Sequence, residues 1–257
     1  MWEEPSISGT RGSGTVFFSG CSLGCIYCQN RAISRGINGT EVTVGRLTEI
    51  ILELQSKGAH NINFVTPTHY APSVRETVEQ ARGKGLTVPI VYNTGSYDSV
   101  EALRMLEGYV DIYLADFKYY TPKTAAALSD APDYPEAAAA AIKEMVRQTG
   151  DPSYTPDGLM KRGTIVRILL LPGKVAEAKL SLKYLYGTYG DKICISLMSQ
   201  YTPIPGVRSP LDRRVTQDEY RELCDYASRL GVKHGYTQER TAAVESFIPD
   251  FDGTGVL

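Results

Sequence analysis

The run Thr15-Val16-Phe17-Phe18-Ser19-Gly20-Cys21-Ser22-Leu23-Gly24-Cys25-Ile26-Tyr27-Cys28-Gln29-Asn30 sets an apolar strand directly before three cysteines that fall within eight residues. The gaps between them, with Gly20 and Gly24 in the loop, let Cys21, Cys25 and Cys28 curl around three corners of an iron-sulfur cube. One iron is then left without a protein ligand. An open iron position binds a small molecule and passes it an electron, where a fully ligated cluster only relays electrons. Two other readings stand beside this one. A zinc knuckle would take a fourth ligand such as His69, although zinc sites usually show a second cysteine pair further on, and none is present. Three unliganded thiols would leave the glycines as mere turn residues and expose the loop to oxidation.

Outward from this loop, strand-like and helix-like segments alternate in the rhythm of βα units that build a parallel sheet. Near-continuous apolar runs predict strands at 15–19, 62–66, 88–93, 110–116, 164–171 and 193–199. These six strands predict an α/β fold, a partial (β/α)6 barrel with a parallel sheet and outer helices, formed by a single domain over residues 1–257. Helix starts are marked by Ser73 with Glu76, Asp98 with Glu101 and Thr216 with Glu219 at capping-box spacing, and by Thr121-Pro122. The segment 132–163 reads as a helix through its alanine run, then a flexible loop around Asp151-Pro-Ser-Tyr-Thr-Pro-Asp-Gly158. Gly9, Gly12 and Gly14 lead into a strand and lack a following Gly-Lys-Ser/Thr, so they carry no phosphate cradle. Their expected use is to let backbone pass close to the cysteine loop.

At 257 residues and 42% hydrophobic the chain can bury one sizeable core. Twenty-seven basic residues against 29 acidic ones leave no footprint for a nucleic acid or an anionic membrane. No apolar run has the length of a secretion signal or a membrane span, which points to a cytoplasmic protein. Cys194 and Cys224 read as buried free thiols, with no disulfides expected.

Ligands of parallel barrels bind at the carboxyl ends of the strands. Polar residues there form a short list: Thr66, Thr68, His69 and Tyr70 after strand two, Asn93 and Thr94 on strand three, and Asp116 and Lys118 on strand four. Arg167 lies on strand five, and Met198 and Gln200 end strand six. Lys118 and Arg167 have a second reading as partners of Asp116 and Asp111 in rim ion pairs. His69 is a candidate for substrate or proton contact, or a hydrogen-bonded loop histidine; Tyr119 and Tyr120 read as substrate contacts or as ordinary exposed loop aromatics, His60 and His234 as structural. No residue is assigned as an acid or base.

The cysteine spacing, the aromatic Tyr27 before the third cysteine and the placement after a first strand resemble the radical S-adenosylmethionine superfamily. That resemblance implies a 4Fe-4S cluster on Cys21, Cys25 and Cys28, and S-adenosylmethionine bound to the free iron and cleaved to methionine and a 5′-deoxyadenosyl radical. Asp116-x-Lys118 and Val166-Arg167 before Leu171-Pro172-Gly173 are similar to motifs of pyruvate formate-lyase activating enzymes, the activases of glycyl radical enzymes. By that similarity Lys118 and Arg167 position the methionyl part with help from Asp116 and Thr94, and Tyr27, Met198 and Gln200 surround adenine. Asn93-Thr94 stands where some activases build a monovalent cation site from Asp-Thr. Val65-Thr66-Pro67-Thr68-His69 stands where activases carry Gly-Gly-Glu for the cofactor's ammonium, with Thr66 and Thr68 as replacement acceptors. This version, with Trp2-Glu3-Glu4-Pro5 and Gln29-Asn30, resembles a less characterised activase-like branch. The implied partners are a glycyl radical enzyme as substrate and flavodoxin or ferredoxin as reductant. The alternatives are a radical enzyme acting on a small metabolite or peptide, and a zinc-binding scaffold protein.

Overall fold

A computed structural model describes residues 4–35, 38–238 and 255–256. Trp2 and Glu3 of the amino-terminal motif lie outside the described residues. The strands are β1 (Gly14–Phe17), β2 (Ile62–Val65), β3 (Ile90–Thr94), β4 (Ile112–Asp116), β5 (Ser153–Tyr154), β6 (Met160–Leu169), β7 (Cys194–Met198) and β8 (Gly235–Thr237). The helices are α1 (Pro5–Ser8), α2 (Arg31–Ser34), α3 (Val44–Ser56), α4 (Ala71–Gly83), α5 (Val100–Met105), α6 (Pro122–Ser129), α7 (Tyr134–Thr149), α8 (Val175–Tyr189) and α9 (Gln217–Leu230).

The sheet runs β1-β2-β3-β4-β6-β7-β8 with every neighbouring pair parallel, and β5 adds an antiparallel edge to the start of β6. All six expected strands are present. Two differences stand out. Residues 151–158, expected as a loop, instead begin a hairpin whose second strand is a longer β6 starting at Met160. The three-residue β8 adds a seventh parallel strand beyond the expected six.

Burial on both faces of β2, β3, β4 and β7 explains their unbroken apolar runs. Val91, Ile112, Leu114, Ile165 and Cys194 alternate inward and pack with Ile7 of α1 and Met160 at the amino-terminal end of the barrel. Phe64, Tyr92, Tyr113, Val166, Ile168, Ile195 and Leu197 face out against the helices in a larger core. Each fully buried side chain such as Ile112 or Leu114 contributes about 2 kcal/mol. With the floor sealed by apolar groups, the polar inner positions Asn93, Asp116 and Arg167 gather at the opposite, carboxyl end.

The glycine stretch lies at the floor, away from the cysteine loop. His60 donates its N–H to Gly12 O at 3.0 Å, and a Cβ on Gly9 would meet His60 and Leu159 at under 3 Å. Those glycines serve the closed floor, which corrects their expected role. Thr216 and Glu219 form a complete capping box, and Thr121 caps α6 ahead of Pro122. Ser73 lies inside α4, and the cap of α5 is Ser99, which leaves Asp98 free for a different duty. No helix among the described residues is long and apolar enough to cross a membrane.

Candidate active site

The chain leaves β1 at Phe17 and turns through Gly20 into the cysteine loop. Buried Leu23 roots this loop, and the Leu23 N–H points to Cys21 Sγ at 3.5 Å. The end of α6 clamps it from the side: Gly24 donates to Ser129 O at 3.1 Å and Ile26 to Leu128 O at 3.0 Å. A Cβ on Gly24 would lie 3.3 Å from Ser129 O, so a side chain there would press on the clamp. Ser129 Oγ donates to Cys25 Sγ at 2.9 Å. The cysteines are each partly exposed, and none of the chain's five is in a disulfide. Burial raises the Cys21 thiol pKa against the opposing pull of the Leu23 N–H and of Lys118.

Among the described residues no group of three or more His, Cys, Asp or Glu side chains is gathered to hold a metal ion. The donor set itself is three sulfurs with neither carboxylate nor imidazole, the soft set that iron-sulfur clusters select. Hydrogen bonds already directed at two of those sulfurs also suit cluster ligands. These residues fit the cubane.

Beside the loop, β4 and β6 pair Asp116 with Arg167 in register. Arg167 Nε donates to Asp116 Oδ1 and Lys118 Nζ to Asp116 Oδ2, both at 2.7 Å, and Arg167 Nη2 donates to Asn93 Oδ1 at 2.6 Å. The ion-pair reading of these cations holds at Asp116, whereas Asp111 pairs with Arg82. Burial would raise the Asp116 pKa, but Arg167 and Lys118 outweigh it and hold the carboxyl below its usual range. Burial likewise works against the Lys118 ammonium, and Asp116 reverses this and pushes its pKa well up. Buried Tyr134 braces the group: its hydroxyl accepts from the Lys118 N–H and lies 2.9 Å from both Gly95 O and Asp116 O. At Gly95 an added Cβ would stand 3.2 Å from Leu23 Cδ1 and 3.5 Å from Lys118 Cε. The cysteine loop and the cation group thus meet across one glycine.

The strand-two residues divide. Thr66 has φ 58, a left-handed conformation that costs a β-branched residue roughly 1–2 kcal/mol, and its N–H bonds Asn93 O at 2.8 Å. Thr68 is hydrogen-bonded to Asp98, together with Thr94 Oγ1 at 2.5 Å and Tyr92 OH at 3.1 Å. The hydroxyls of Thr68 and Thr94 are therefore engaged behind the strand ends, around a buried carboxylate that sequence reading took for a helix cap. Burial raises the Asp98 pKa even though all three hydroxyls favour its charged form. His69 is exposed, with its ring 3.6 Å from where a Gly20 Cβ would be, and the Tyr70 hydroxyl donates to Ser19 O at 3.0 Å.

Buried Met198 ends β7, paired with Leu169. Gln200 accepts from Gln238 Nε2 at 2.7 Å, and Gln238 in turn accepts from the Ser199 N–H. Tyr27 is buried, with its ring against Tyr201 at 6.2 Å and its hydroxyl 2.6 Å from that of Tyr119. Tyr119 is fully buried, against its reading as an exposed loop aromatic, whereas Tyr120 is exposed. Sequence reading missed Asp98, Ser129, Tyr134 and Gln238 as parts of the site.

A cluster-type cysteine loop over the carboxyl end of a parallel barrel defines a class, and residues 15–178 match the Radical SAM superfamily; the chain belongs to that superfamily. The superfamily uses a 4Fe-4S cluster and S-adenosylmethionine, which sets aside the zinc reading. The uncharacterized protein MJ0674 of Methanocaldococcus jannaschii is 25% identical over 231 residues, covering 86% of this chain and 63% of that protein. Streptococcus suis SuiB bound to precursor peptide SuiA has the same fold at TM-score 0.58 and 10% identity, over 92% of this chain and 51% of SuiB. The FeFe-hydrogenase maturase HydG of Carboxydothermus hydrogenoformans follows at TM-score 0.62 and 14% identity, over 91% of this chain and 56% of HydG. The chain thus spans less than two thirds of the length of each of these proteins.

Proposed function

We propose that the chain, acting as one catalytic domain, cleaves S-adenosylmethionine reductively and removes a hydrogen atom from a backbone glycine of a partner protein. The close approach of Leu23 and Lys118 to Gly95, which brings the cysteine loop beside the cation group, supports the cofactor-cleaving part of this reading. Cys21, Cys25 and Cys28 would hold a 4Fe-4S cluster, which would supply the electron for reductive cleavage of S-adenosylmethionine.

Lys118 and Arg167 set two cations against the single carboxylate of Asp116, and counted over these three side chains the surplus positive charge suits the cofactor's carboxylate. Asn93 holds the Arg167 fork in plane. Thr66, at the strained end of β2, offers hydroxyl and carbonyl oxygens to the ammonium that lacks a strand-two carboxylate. Thr68 and Thr94 act through Asp98 by fixing the β2 and β3 ends. Tyr27 contributes backbone beside adenine, with Met198 and Gln200 opposite. His69 and Tyr70 lie on the side from which substrate approaches.

A polypeptide substrate is supported by the open sheet, whose end strands among the described residues are β1 and β8, and by the Asp116-x-Lys118 pattern. SuiB, of like fold, binds a precursor peptide. Flavodoxin or ferredoxin in a reducing cytoplasm completes the reading. The test is anaerobic incubation of reconstituted protein with dithionite, S-adenosylmethionine and a glycyl radical enzyme. A doublet electron-spin signal on the partner is expected. Formation of 5′-deoxyadenosine without any partner radical would overturn the glycyl assignment while leaving cofactor cleavage intact.

A further inference from the structure

Three buried hydroxyls and one partly exposed thiol form a continuous chain beside the cysteine loop. Tyr27 OH lies 2.6 Å from Tyr119 OH, which lies 2.6 Å from Ser129 Oγ, which donates to Cys25 Sγ at 2.9 Å. Ser129 is 1% exposed, Tyr119 0% and Tyr27 6%, so water does not compete for the bonds among the three hydroxyls. The direction of the protons follows from the last acceptor. A cysteine sulfur bound to iron has no proton to give, so Ser129 donates to it, Tyr119 donates to Ser129, and Tyr27 donates to Tyr119. Aligned hydroxyls polarise one another and strengthen the terminal bond.

Tyr27 sits two residues after Cys25, and the chain therefore closes a ring through the loop's own backbone. The clamp of Gly24 and Ile26 on Ser129 and Leu128 fixes the donor independently of its hydroxyl. We infer that Ser129 is a positioning residue that raises the reduction potential of the cluster through Cys25, with Tyr119 and Tyr27 setting its proton. The inference rests on the cluster assignment of Cys25. A hydrogen bond to a cluster sulfur stabilises the more negative, reduced state and so eases reduction by an external donor.

The experiment is an anaerobic redox titration of the reconstituted full chain without S-adenosylmethionine, following cluster absorbance and electron-spin signal. Wild type, Ser129→Ala and Tyr119→Phe are compared at matched iron and sulfide content. At one applied potential the ratio of reduced to oxidised cluster should fall about tenfold in Ser129→Ala and by a smaller factor in Tyr119→Phe. Equal ratios in all three proteins overturn the inference. Should Ser129→Ala fail to retain iron, an unshifted Tyr119→Phe protein overturns it equally. Absence of a cluster in wild type would instead defeat the cluster assignment.

Discussion

Replacing Asp116 with alanine removes the carboxylate shared by two cations, Lys118 and Arg167, of which Arg167 keeps Asn93. The side chains of Lys118 and Arg167 are 17% and 11% exposed, and each loses a carboxylate oxygen at 2.7 Å. Removing one partner of a buried ion pair costs about 3–5 kcal/mol, whereas an exposed pair is worth about 0–1 kcal/mol. With Asp116 itself 22% exposed, the low end of the buried range applies, about 3 kcal/mol. For a chain of this size each kcal/mol moves the melting temperature by about 2–4 °C, so the variant should melt about 6–12 °C below wild type at pH 7. Asp116→Asn, which keeps an acceptor without the charge, should fall between. The pH dependence has a definite sign. Because the folded carboxyl titrates below its unfolded value, its stabilisation is present above about pH 4 and lost as pH falls through the lower folded value. The gap between wild type and Asp116→Ala should therefore close in acid. A calorimetric difference under about 2 °C at pH 7 would refute the view that Asp116 holds this end of the barrel together.

Thr66→Gly should stabilise the apo-protein by about 0.5–1 kcal/mol, since relief of the left-handed strain exceeds glycine's extra freedom in the unfolded chain; a lower urea midpoint would contradict this. Asp98→Ala should cost about 3 kcal/mol by removing the buried acceptor shared by the hydroxyls of Thr68, Thr94 and Tyr92, against about 1 kcal/mol for Ser99→Ala at the true cap. Equal urea midpoints for these two would point back to Asp98 as a mere cap. The Arg213 guanidinium holds the Glu219 carboxyl at about 2, so its contribution should vanish progressively as pH falls from about 5 towards 2. Glu219→Gln should flatten the stability profile in that window, and an unchanged acid slope would count against the assignment.

The strands and the cysteine loop were legible because burial on both faces writes a strand as a plain apolar run and because three clustered thiols have few structural uses. Asp116, Lys118 and Arg167 were legible as charges at the ends of such runs, where burial makes a charge conspicuous. β8 was not, because three residues with little burial leave no pattern to read. Asp98 and Ser99 are adjacent and both suit a helix cap, so sequence alone favoured the wrong one. The outward turn of Thr68 and Thr94 depends on that same buried carboxylate, which no local pattern announces. Ser129 carries no local mark either: a serine ending a short alanine-rich helix becomes informative only when the fold lays it against Cys25.

If Cys21, Cys25 and Cys28 hold a cluster whose remaining iron is open to S-adenosylmethionine, the electron-spin spectrum of the dithionite-reduced, reconstituted protein must respond when S-adenosylmethionine is added. A reduced 4Fe-4S signal whose shape changes on addition is expected, with 5′-deoxyadenosine accumulating. A verified cluster with a signal indifferent to S-adenosylmethionine, and no 5′-deoxyadenosine, would contradict it.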